Sequence, residues 1–107
     1  MECYIDALGR DYRGVVDTTI TGKSCQQWTD QTPQEHNRTE ARYPGTGLGE
    51  HNFCRNPDNE PGGPWCFTTD SESRWEYCDV GEQSTTQECQ SALGKCSIFV
   101  AFCRFKF

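Results

Sequence analysis

Apolar residues are thinly scattered along this chain, and Gly, Pro, Asn and Asp return every few positions. No amphipathic run reaches three helical turns before one of these breaks it, so the pattern predicts loops and short antiparallel strands. The two strand candidates are Trp65 to Thr69 and Arg74 to Tyr77, separated by the turn-like Asp70-Ser71-Glu72-Ser73. A hairpin of that kind brings Phe67 and Trp75 together. Turns are also expected at Pro44-Gly45-Thr46-Gly47 and at Pro61-Gly62-Gly63-Pro64, the second delivering the chain sharply into Trp65. Trp28 and Tyr12 are expected in the core, and no internal repeat is visible.

The pattern changes after Asp79. Residues 80–88 include Gly81-Glu82-Gln83-Ser84-Thr85-Thr86-Gln87, a polar linker by composition. Residues 90–107 form a Cys- and Phe-rich tail of a different kind: CSIFVAFCRFKF carries four of the six phenylalanines, and Lys95, Arg104 and Lys106 make it basic. The organisation expected is one domain over residues 3–89 followed by that tail. The tail reads best as the start of another domain packing wherever it can; the alternative is that Lys95 or Lys106 occupies an acidic pocket of the same or a neighbouring molecule.

Composition narrows the class. With 107 residues and 34% hydrophobic content, the chain cannot bury a large core. Its eight cysteines fall at irregular intervals with no short-spaced Cys/His ligand pairs, which points to a disulfide framework and away from a zinc site. No metal or cofactor is expected, and the compartment is secreted or extracellular. Each bridge contributes about 2–4 kcal/mol by restricting the unfolded chain, comparable to what a sparse core leaves over. The opening MECYID has neither a basic segment nor an apolar run, so it is no secretory signal, and Met1 is expected to be a fragment start. The net charge of −6 argues against nucleic acid and favours basic ligands. No apolar stretch approaches the roughly 20 residues of a membrane span.

The richest segment is Cys54 to Asp70, CRNPDNEPGGPWCFTTD. Two carboxylates, Asp58 and Glu60, precede a Pro-Trp-Cys-Phe run held by cysteines at both ends. On their own these are solvated loop acids; beside Trp65 and Phe67 they describe a pocket with an acidic end and an aromatic floor, suited to a long aliphatic cation. Catalysis by the two as acid and base is a poor reading, because two residues on one loop cannot easily straddle a bond. His36 and His51 lack any acid and serine constellation and are expected as surface or turn histidines.

Motifs across the first three quarters of the chain occur in a recognisable order: Tyr12-Arg13-Gly14, Cys25-Gln26-Gln27-Trp28, Tyr43-Pro44, Gly47-Leu48, Asn52-Phe53-Cys54-Arg55-Asn56-Pro57-Asp58, Pro64-Trp65-Cys66-Phe67-Thr68-Thr69-Asp70 and Arg74-Trp75-Glu76-Tyr77-Cys78-Asp79. The sequence resembles a kringle domain, and in particular the lysine-binding kringles of plasminogen. The resemblance implies a small disulfide-rich fold, mostly loops with short antiparallel β-strands, and a pairing of Cys25 with Cys66 and Cys54 with Cys78. The outer bridge departs from the family pattern, since Gln83 holds the usual place of the last cysteine. Cys3 with Cys89 is the first expectation, leaving Cys96 and Cys103 to close a loop in the tail; Cys3 pairing with Cys96 or Cys103, or staying free, is the alternative.

The resemblance also implies a non-catalytic extracellular module that recognises lysine, C-terminal or on an exposed side chain, on protein partners. Asp58 and Glu60 would meet the ammonium, Trp65, Phe67 and Trp75 the aliphatic stem, and Arg74 and Arg38 a ligand carboxylate. Four buried methylenes give roughly 3 kcal/mol and cation–π attraction about 0.5–2 kcal/mol, so affinity nearer micromolar than nanomolar is expected. Glu60 stands where the stronger binders have Asp, which points to weaker binding. The competing reading is a structural or protein-interaction kringle whose trough is unused. Asn37-Arg38-Thr39 is an N-glycosylation acceptor beside the proposed cationic rim.

Overall fold

A computed structural model describes residues 3–84. The expected domain limit at residue 89, the tail, and Cys89, Cys96 and Cys103 with their pairings lie outside the described residues.

Two short strands form the only regular elements among the described residues: β1 (Trp65–Phe67) and β2 (Trp75–Tyr77), antiparallel, with Trp65 opposite Tyr77 and Phe67 opposite Trp75. Both are shorter than the sequence predicts, by the residues nearest the turn. The Thr68 N–H still donates to the Arg74 carbonyl, and beyond that last rung its buried hydroxyl, shared between the carbonyls of Asp70 and Ser73 and accepting from the Asp70 N–H, closes a tight turn. Strand geometry then puts Trp65 and Phe67 on one face and Cys66 on the other. All three are buried.

The cysteine face explains how so small a core holds. Cys66 pairs with Cys25 and Cys78 with Cys54, as the resemblance implies, and the four sulfurs lie within 4.8 Å of one another. Cys3 is disulfide-bonded as well. Around this pair of bridges the buried hydrophobic set is completed by Tyr12, Trp28, Leu48, Trp65, Phe67 and Val80.

Buried polar groups organise the loops that regular structure does not. Gln26 and Gln34 exchange amides: Gln26 Nε2 donates to the carbonyls of Asp30 and Gln34, Gln26 Oε1 accepts the Gln34 N–H, and Gln34 Nε2 reaches the Asp70 carbonyl at 3.0 Å. Residues 30–36, with their cis Thr32–Pro33 bond, are thereby tied to the β1–β2 turn. On the other side, Arg55 and Trp65 exchange both backbone hydrogen bonds, closing residues 55–65 into a loop whose far end carries Asp58 and Glu60. The Arg55 side chain is 5% exposed, donates to the carbonyls of Gly14, Gly47 and Cys54, and lies over the rings of Tyr12 and Phe53.

Replacing Arg55 by Met keeps the stem and takes the guanidinium donor from the Gly14 and Cys54 carbonyls, while Gly47 keeps His51 Nε2. A loss of about 2–4 kcal/mol is expected, since each stranded buried acceptor costs about 1–3 kcal/mol; denaturant unfolding with disulfides intact would measure it, and an unchanged midpoint would refute the role.

Candidate functional site

The loop closed by Arg55 and Trp65 folds back so that its acids face its own base. Asn56, itself buried, makes this possible: its Oδ1 accepts the Glu60 N–H at 2.8 Å, and its Nδ2 donates to the carbonyls of Glu60 and Leu8. Asn59 adopts a left-handed backbone, φ 63°, a conformation Asn tolerates better than most residues. Asp58 Oδ1 then accepts the Trp65 indole N–H at 3.1 Å, so the acid is fixed to the aromatic floor by a hydrogen bond.

A cleft of about 140 Å³ opens at this point, lined by Asp58, Glu60, Trp65, Phe67, Trp75, Arg38 and Arg74, together with His36 and Asn37. Every ligand-binding side chain named from the sequence lies on its wall. The three aromatics are not equivalent. Trp65 and Phe67 are buried and meet edge to face, centroids 5.0 Å apart, while Trp75 is 38% exposed and meets Trp65 at 5.6 Å. Trp28 supports both buried rings from behind, at 5.2 Å from Trp65 and 5.9 Å from Phe67. Two walls are therefore core residues, and the third is a solvent-facing flap.

The charges are arranged differently from the sequence expectation. Arg74 lies 5.1 Å over the Phe67 ring and donates to the Glu35 carbonyl, at the edge of the trough. Arg38, expected beside it, reaches across instead: Nε and Nη2 both lie 3.0 Å from Asp58 Oδ2. Coulomb attraction in a partly dehydrated cleft outweighs solvation of the free guanidinium there, and Asn37 Oδ1 takes the remaining Nη1 at 2.5 Å. Asp58 thus has both oxygens engaged, whereas among the described residues Glu60 accepts at Oε1 only, from the Tyr77 hydroxyl at 3.3 Å.

Two supporting residues, Tyr77 and His36, escape sequence reasoning, and Asn37, expected beside the cationic rim, lines the cleft itself. Tyr77 aims Glu60 and packs edge to face on Trp75 at 5.0 Å; a β-carbon at Gly62 would collide with the Tyr77 ring, which ties that glycine to the site. Asn37 lines the cleft through the loop that Gln34 anchors. His36 stacks on Phe67 at 4.4 Å, donates from Nε2 to the Asp30 carbonyl and accepts the Arg38 N–H at Nδ1. His51 repeats the device, stacked on Phe53, with Nε2 donating to Gly47 and Nδ1 accepting the Phe53 N–H.

A sequence model of the kringle domain matches residues 3–83. The chain belongs to the kringle family. A human protein described as putative apolipoprotein(a)-like protein 2 is 52% identical over 79 residues, covering 74% of this chain and 58% of that protein. Goat plasminogen is 44% identical over 87 residues, covering 81% of this chain and 68% of the plasminogen sequence. The chain therefore spans a little under three fifths of the first relative. What these relatives share with it is the kringle module, and no helix among the described residues is long and apolar enough to cross a membrane.

Both kringle histidines are neutral in this arrangement, each ring giving one proton and receiving another. Burial pushes both below the ordinary 6.5, and nearby arginines add to it: Arg74 and Arg38 at His36, Arg55 at His51. A lowered folded pKa means that the unfolded chain takes up these protons first as pH falls. Stability is then complete above about pH 6.5 and declines through the window below it. Thermal unfolding from pH 7.5 to 5.5 should show the midpoint falling, with a shallower slope in a His36→Gln variant; equal slopes would remove His36 from the account.

Proposed function

We propose that this kringle is a non-catalytic extracellular binding module for lysine, C-terminal or on an exposed side chain of a protein partner, and that it binds weakly. The observation that carries this reading is the convergence of two carboxylates, three aromatic rings and Arg74 on one cleft of about 140 Å³. Glu60, with one oxygen still open, is the first contact for the ammonium; the stem lies along Trp65, Phe67 and Trp75; Arg74 takes a ligand carboxylate. The disulfide framework supports an oxidising, extracellular setting.

Weakness follows from Arg38. An incoming ammonium meets a site whose second carboxylate already has a cation, so Asp58 joins only if Arg38 lets go. The same ion pair is what favours the competing reading, a kringle that serves protein interaction or spacing with its trough unused.

Titration with 6-aminohexanoic acid, followed by tryptophan fluorescence, separates the two. A saturable change with Kd of about 10⁻⁵ to 10⁻³ M is expected, about −7 to −4 kcal/mol. Glu60→Gln should weaken it by about tenfold or more, because one charge-assisted hydrogen bond contributes about 1.5–3 kcal/mol. Arg38→Gln should tighten binding of pentylamine, which has no carboxylate to lose. No saturable change up to about 10 mM would overturn the lysine reading.

A further inference from the structure

A second recess, of about 190 Å³, shares no lining residue with the cleft. Leu8, Pro61, Pro64 and Val80 give it apolar walls, and Ile20 stands beside them 67% exposed. Ile20 is held in place, since its N–H donates to the Tyr77 carbonyl at 2.9 Å. A fixed apolar side chain continuous with an apolar recess favours an apolar occupant over water. Acids gather at one end. Asp79 lines the recess, and Glu82 and Asp11 lie close by: burial first, then Glu82, Asp11 and Asp79, push the Tyr4 phenol above its ordinary value. None of these three carboxylates is in an ion pair among the described residues.

Two ties bring the rest of the chain to this place. The Ser84 N–H donates to the Tyr4 carbonyl at 2.8 Å and Gln83 Nε2 to the Ile5 carbonyl at 2.6 Å, so the described chain ends beside Tyr4, itself on the recess wall. Cys3, next to Tyr4, is disulfide-bonded, and the other four described cysteines pair with one another; within this chain its partner is therefore Cys89, Cys96 or Cys103. The most distant of these choices for the run IFVAFCRFKF, Cys89, precedes Ile98 by nine residues. That is roughly 30 Å of extended chain, so the run reaches the recess whichever sulfur is joined.

We infer that the recess beside Ile20 and Val80 is the docking site of this chain's own residues 98–107, with a phenyl ring of that segment inside it and the neighbouring cations against Asp79 and Glu82. Residues 98–107 hold four phenylalanines, Arg104 and Lys106 and no acid, and Lys95 precedes them. Cavities of about 150 Å³ hold benzene, so the recess is of a size for one phenyl ring. Exposed charge pairs at its rim set direction more than strength. The same charges favour this place over the cleft, because Arg38 already neutralises Asp58 there while Asp79 and Glu82 have no such partner among the described residues. The docking does not rest on the lysine reading.

The test uses the full chain with its disulfides intact. Carbodiimide coupling, which joins an amine to a carboxylate without a spacer, should link Lys95 or Lys106 to Asp79 or Glu82 within one molecule, as read by peptide mass on an isotopically mixed sample. Limited chymotrypsin digestion should cut after Phe99, Phe102 or Phe105 about tenfold faster in Ile20→Asp than in the parent, because cleavage follows the undocked population. Val15→Asp, at an exposed position that does not line the recess, should cut at the parent's rate. Absence of the link, a link to Asp58 or Glu60 instead, or links only between two copies overturns the inference. Equal cleavage of Ile20→Asp and the parent overturns it as well.

Discussion

The contact between two disulfides at the centre of the domain is the constraint on which everything else rests. Cys25 Sγ lies 3.7 Å from Cys54 Sγ, so the Cys25–Cys66 and Cys54–Cys78 bridges pack as a unit. They close sequence separations of 41 and 24 residues, which in the chain-entropy picture contribute about 3–4 kcal/mol each. Without them, the six buried non-cysteine hydrophobic side chains among the described residues would have to order a chain of loops. The bridges also decide where the chemistry goes. Cys66 lies inside β1, Cys78 directly follows β2, and Cys54 directly precedes the loop that bears the acids. Fixing the sulfurs therefore fixes floor, flap and acid loop against one another.

Core and cleft share residues as a consequence. Trp65 and Phe67 are buried, yet one edge of each faces the ligand space, and Trp28 behind them holds their tilt. A domain with so little apolar material has no side chains to spare for a separate binding surface. The cleft is correspondingly rigid at its floor. Its adjustable parts are the exposed Trp75 and the two arginines, all at the rim.

Much of this was legible in the sequence because local rules act on short segments. Turn residues marked 61–64 and 70–73, the Trp-Cys-Phe run marked β1, and acid, aromatic and basic types marked the cleft wall. The bridge pattern needed the family resemblance, since spacing leaves the pairing open. Two kinds of feature were not legible. The turn after Thr68 is closed by its side-chain hydrogen bonds, which propensity does not register. Arg38 crosses to Asp58, 20 residues away, because loops 30–39 and 55–65 are brought face to face by Gln34, Asn56 and the disulfides. Residue type announces a cation; only tertiary placement says which anion it finds.

That placement changes what the second acid is for. Asp58 holds Trp65 through one oxygen and Arg38 through the other, so its charge is already spent on building the site. Glu60 is longer, held by Tyr77 through a single oxygen, and pinned at its backbone by Asn56. The extra methylene costs it rotamer entropy and gives it the reach to the Tyr77 hydroxyl. Shortening Glu60 to Asp would not simply recover a stronger site here, because the shorter arm loses its reach to Tyr77 while Arg38 still neutralises Asp58. On the lysine reading proposed above, weak binding is a property of the Arg38–Asp58–Glu60 set, with the Arg38–Asp58 pair its largest part.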